Sequence, residues 1–126
     1  MADHTYRVDK RLIIIPVKIF SSTHFFEANF VLDTGASHTI VDYRIAESLG
    51  YSQKDATAQS RVSSSIGKEE GYRIRVHAIE TLGKRIDHFE IACHSLLEQG
   101  VEGLIGMTFL ENFDFCIHPA NKIIRI

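Results

Sequence analysis

Between Asn29 and Asp42 the chain reads NFVLDTGASHTIVD. An apolar run, Phe30-Val31-Leu32, stops at Asp33-Thr34-Gly35, and a second apolar stretch resumes with Thr39-Ile40-Val41. Asp33 places a carboxylate at the end of an apolar strand, where charge is costly unless it is paired or hydrogen-bonded. Gly35 has no side chain, so its backbone can come close and donate N–H groups to that carboxylate. Thr34 carries a hydroxyl that donates and accepts at once, and Ser37 adds another donor. An ordinary turn draws on the same residue types, because Asp and Gly are frequent in turns.

The elements that must position this turn are mostly strands. LIIIPVKIF (Leu12–Phe20) is β-branched and apolar, with Pro16 marking an edge or a bulge. In FFEANFVLD, Phe26, Ala28, Phe30 and Leu32 share one face and Glu27 and Asn29 the other. In YRIRVHAIE, Tyr72, Ile74, Val76 and Ala78 face one way and Arg73, Arg75 and His77 the other. RIDHFEIAC follows after a turn at Leu82-Gly83-Lys84, FDFCIH alternates again, and KIIRI ends the chain after a turn at Pro119-Ala120-Asn121. Helices are few. Asp42 can cap YRIAESLG with Gly50 as its stop, Ser95 can cap a turn through LLEQG, and MTFLEN follows Gly106. The polar stretch Ser52–Ser65 reads as a loop and the start of a hairpin. The pattern predicts an all-β domain, barrel or sandwich, covering residues 1–126.

Bulk properties narrow the function. The chain has 126 residues, 44% of them hydrophobic, enough for one domain with a small core. A net charge of −2 with scattered basic residues predicts neither nucleic acid nor an anionic membrane as partner. Cys93 and Cys116 match no zinc or redox spacing and are expected as two buried free thiols. His88 and His94 flank FEIAC at a spacing of six, which suits no ligand pair, so no metal is expected. No apolar run is long enough for a membrane span, and MADHTYRVDKR followed by a short apolar run is unlike a signal peptide. A cytoplasmic location is the expectation.

A second segment gives the turn its context. EGLIGMTFLENF repeats the theme about seventy residues downstream: Leu104-Ile105, then Gly106, then a short helix. Together, VLDTGAS and LIGMTFL resemble the retropepsin-like aspartic proteases, over roughly residues 12–126. The Met after Gly106 is closer to cellular and bacterial single-domain members than to viral ones. The resemblance implies a closed all-β barrel with one or two short helices, working as a homodimer without a cofactor. Asp33 would be the catalytic acid and base, with Thr34 and Gly35 orienting it. Peptide or protein substrate would lie against Ala36 and Ser37. RVSSSIGKEEGYRIRV would form a hairpin flap, with Ile66 and Gly67 closing over the peptide.

The resemblance also supplies the missing partner. Only Asp33, of seven Asp residues, stands in an Asp-Thr-Gly or Asp-Ser-Gly setting, and there is no room for a second lobe. The second carboxylate would be Asp33 of another copy, across a two-fold axis. Ala36 lacks the hydroxyl that supports the carboxylate in two-lobed relatives, which implies a mildly acidic to near-neutral optimum. Ser37-His38 replace the acidic residues usual in retroviral members, so His38 is either a pH-sensitive substrate contact or a surface histidine. KIIRI would join an intermolecular sheet or pack within its own subunit. A dimeric peptide-binding module that keeps the fold without catalysis is the alternative.

Overall fold

The computed structural model describes residues 1–64 and 67–126. Strands β1 (Asp3–Thr5) and β2 (Arg7–Asp9) precede the long β3 (Leu12–Phe20) and β4 (Phe25–Leu32). β5 (Ile40–Asp42) runs directly into helix α1 (Tyr43–Ser48). β6 (Ala58–Ser64), β7 (Gly67–Thr81) and β8 (Lys84–His94) form an antiparallel meander. β9 (Gly103–Ile105) leads into α2 (Met107–Leu110), and β10 (Cys116–His118) and β11 (Ile123–Arg125) complete the chain.

The main sheet has the order β2-β3-β4-β9-β5-β8-β7-β6, and β3 also pairs with β7 through Lys18↔Glu80 and Phe20↔Ala78. Burial follows the alternation of the sequence. Ile15, Val17, Ile19, Phe30, Ile74, Val76, Ile91 and Ile105 form the core, each at most 1% exposed. Burying each of these side chains contributes about 1.5–3 kcal/mol. The β7–β8 turn at Leu82-Gly83 has positive φ at both residues, 53° and 70°, the mirror-image turn that suits strand twist.

Pro16 is tolerated for a local reason. It faces Asn29 of β4, and the Asn29 N–H points away from β3, donating to Glu102 Oε1 at 3.0 Å. Opposed residues of an antiparallel pair exchange both ladder bonds or neither, so this position asks no N–H of Pro16. On the other side, β2 covers residues 12–14 of β3 and β7 covers 18–20, leaving Pro16 between them.

The chain termini form a second sheet, β1-β11-β10, within one subunit. β11 is its middle strand, paired on both sides, and Arg125 donates to Asp3 at 2.7 Å. The ladder of FDFCIH shrinks to Cys116–His118, because Phe113 is drawn against Phe109 of α2, ring centroids 5.3 Å apart. The expectation of two buried thiols is corrected. Both cysteines are free, but only Cys93 is buried; Cys116 faces outward from β10 and is exposed. No helix among the described residues is long and apolar enough to cross a membrane.

Candidate active site

The Asp33 loop is shaped by the strand that passes beside it. β9 lies between β4 and β5, parallel to the first (Leu32↔Ile105) and antiparallel to the second (Ile40↔Leu104). The loop from β4 to β5 must therefore cross the end of β9, where α2 begins. Asp33 N–H donates to Ile105 O at 2.9 Å, so the ladder bond of β9 sets the carboxylate's position directly. A tight turn follows, closed by Ala36 N–H donating to Asp33 O at 3.1 Å.

Within this turn the Asp33 side chain is half-buried, and its Oδ1 accepts from Gly35 N–H at 2.9 Å. A Cβ on Gly35 would lie 3.3 Å from that oxygen, tight enough to disturb the contact. Thr34 and Gly35 are exposed, Ala36 is half-buried and Ser37 is exposed. Asp33 to Ser37 thus form one contiguous surface feature. Gly67 belongs to another element, at the outer end of β7 opposite Ser64. Ile66 lies outside the described residues.

The start of α2 braces the loop. Met107 N–H donates to Ala36 O at 2.8 Å and Thr108 N–H to Ser37 O at 3.2 Å. Thr39 N–H donates to Thr108 Oγ1 at 3.0 Å, and Gly106 N–H donates to Thr39 Oγ1 at 3.2 Å. The two hydroxyls meet at 3.1 Å. Gly106 is required here, since a Cβ would overlap His38 O and come within 2.7 Å of Ala36 O. Gly103 is equally constrained, beneath the ring of Phe30. The sequence motif flagged Gly106 but not the Thr39–Thr108 pair. Thr39, which directly precedes β5 and is 1% exposed, was the available signal, because a Thr heading an apolar run buries a hydroxyl that needs a partner.

The far end of the loop is fixed by Asp42, which is fully buried. Its carboxylate caps α1 through Arg44 N–H and accepts from the Leu96 and Leu97 N–H groups, each at 2.8 Å. The Arg44 guanidinium binds both its oxygens at 2.9 Å and reaches on to Glu98. Burial alone would raise the Asp42 pKa. The Arg44 bond and the three backbone N–H groups more than offset it and hold the pKa at about 2. His38 is exposed, with Nε2 3.4 Å from an Arg73 guanidinium nitrogen. A cleft of about 200 Å³ lies between His38, Arg73, Glu90 and Thr108.

The turn thus presents a backbone-held carboxylate beside the end of β9, braced by the helix that follows Gly106. The aspartyl protease family model matches residues 15–109, and the chain belongs to that family. Its fold is retropepsin-like. A retropepsin-like aspartic protease from Rickettsia conorii, known from its crystal structure, matches with a TM-score of 0.74 at 20% sequence identity, over 99% of each chain. No curated protein matches the sequence. Family and fold together support protease function in general terms.

Proposed function

We propose that the protein is an aspartic endopeptidase acting as a homodimer, in which Asp33 of each copy supplies half of one active site. The observation that carries this reading is the Asp33 turn itself: a half-buried carboxylate, fixed by Gly35 N–H and braced by α2, in a chain of the aspartyl protease family. The sequence carries one Asp-Thr-Gly triplet, and in this reading a second copy brings the other across a two-fold axis. The exposed Thr34 hydroxyl is available to hydrogen-bond across that axis and hold the two loops in register. The pairing of β3 with both β4 and β7 supports reading the main sheet as a barrel closed on itself.

Two carboxylates this close cannot both ionise easily, so they share one proton. The ionised one takes a proton from water as the water oxygen bonds to the scissile carbonyl carbon. The protonated one gives its proton to the carbonyl oxygen, forming a gem-diol. In the second step one diol hydroxyl returns a proton to the dyad, the amide nitrogen takes one from it, and the C–N bond breaks. Ala36 and Ser37 would contact the peptide backbone beside the scissile bond. The β6–β7 hairpin, with Gly67 at the outer end of β7, would cover the peptide and add main-chain hydrogen bonds; Ile66 is assigned to the same cover from the sequence alone.

The test is purified protein incubated with a generic peptide pool, with Asp33→Asn alongside. Cleavage should fall about 10³-fold in the variant while its dimer persists. Equal cleavage by both proteins would overturn the proposal, and peptide binding without cleavage would favour the non-catalytic module.

A further inference from the structure

We infer that His94 is a positioning residue: its buried imidazole, bonded to Ser60 and covered by Gly71, is the seat on which the β6–β7 hairpin turns. The inference deepens the proposed function, since it rests on that hairpin covering the peptide.

The register places the seat at a particular rung. The β7–β8 ladder starts at Tyr72↔Cys93, whereas β6 and β7 pair from Ala58↔Arg73 out to Ser64↔Gly67. From Gly67 to Gly71, β7 therefore has β6 as its ladder partner and no strand of the main sheet beyond it, among the described residues. Ser60↔Gly71 is the first rung of this two-stranded extension. Two-stranded ribbons are marginal alone, so how such an extension is held at its base governs where its tip lies.

That first rung sits on the end of β8. Ser60 Oγ and His94 Nε2 are 2.9 Å apart, and both residues are only 3% exposed. From the β7 side, a Cβ on Gly71 would overlap the Cys93 carbonyl oxygen and lie 2.7 Å from the His94 ring atoms Cε1 and Nδ1. Glycine is thus the residue that lets β7 settle on the ring, while the Ser60 hydroxyl ties β6 to the same ring. Among the described residues, Ser60 of β6 and Gly71 of β7 both meet His94, on the same rung. A cleft of about 300 Å³ opens beside the seat, bounded by Tyr43, Gln59, Glu70, Tyr72 and Ser95, and gives the hairpin room to tilt. His94 is remote in sequence from the Asp33 turn. Its effect on the reaction runs through the height at which the hairpin presents its backbone to an extended peptide.

The test is amide hydrogen exchange on the intact protein without peptide, comparing wild type, Ser60→Ala, His94→Phe and Gly71→Ala. Amides of β6 and of Gly67–Gly71 should exchange about tenfold faster in the variants, with Ile74–Thr81 unchanged. Ser60→Thr, which keeps the hydroxyl, should restore wild-type exchange. With peptides that wild type cleaves, KM should rise about tenfold with kcat within about twofold. Unchanged hairpin exchange in Ser60→Ala would overturn the inference, as would equal acceleration of Ile74–Thr81, the mark of general destabilisation. Should His94→Phe fail to fold, Ser60→Ala decides. Exchange is read without cleavage, so failure of the protease proposal would appear separately, as an inactive wild type.

Discussion

The Asp33 loop and the β6–β7 hairpin are held in opposite ways. The loop is short, and Asp33, Ala36, Ser37 and Thr39 each exchange hydrogen bonds with β9, Gly106 or α2. The hairpin is long; from Gly67 to Gly71 its β7 strand has β6 as its ladder partner among the described residues, and Ser60 and Gly71 meet His94 at the base of that extension. The contrast matches two demands. A carboxylate that moves protons needs a fixed position, because small misplacements are costly in rate. Under the proposed function, the hairpin would have to open and close over a peptide, which a two-stranded extension held at its base allows.

Changes at the loop should therefore be severe, and changes at the hairpin base selective. Asp33→Asn should remove activity, by about 10³-fold in kcat/KM, with little change in melting temperature, since the hydrogen bond its side chain accepts from Gly35 N–H is short-range and an Asn oxygen can keep it. Next in size is Gly106→Ala. Its methyl group meets backbone carbonyls that cannot rotate away, so thermal unfolding should show a loss of about 3 kcal/mol, accompanied by lost activity. Thr108→Val removes both the acceptor for Thr39 N–H and the donor to Thr39 Oγ1, and should cost about 1–2 kcal/mol by denaturant titration.

Asp42 sharpens the comparison through pH. Its folded pKa of about 2 lies below its ordinary value of 3.8. The stability it contributes is thus complete above about pH 4 and is lost as pH falls toward 2, roughly 2 kcal/mol in all. Melting curves across that window should drop for wild type and flatten for Asp42→Asn. The smallest effect is chemical. Burial pushes the Cys93 thiol up to about 12, while Cys116 is exposed, so a thiol reagent should label Cys116 alone in the folded protein. Labelling of both thiols at the same rate would contradict the burial of β8.

Much of the rigid half was legible in the sequence, because its constraints are local. Asp33-Thr34-Gly35 and Leu104-Ile105-Gly106 announce themselves by residue type, and Asp42 was readable as a helix cap from the YRIAESLG that follows it. The alternations of β4 and β7 gave their buried faces correctly, since period-two patterning reports directly on a half-buried strand. What could not be read depends on contacts distant along the chain. β1 and β2 carry too few apolar residues to stand out, and exist because β11 and β3 offer them edges. Cys116 was misplaced because composition favours burial, whereas the β10 register turns its side chain outward. The Thr39–Thr108 and Ser60–His94 pairs join residues 69 and 34 positions apart, and no local pattern marks them.

The central claim, that each chain carries half of one active site, is tested most directly by subunit mixing. A fixed amount of wild type is combined with increasing Asp33→Asn under conditions that let subunits exchange, and peptide cleavage is followed. If a working site needs Asp33 from both copies, an equal amount of the variant should lower activity to about half, and a large excess should abolish it. Activity that stays constant as the variant is added would show that one chain suffices, and would contradict the account.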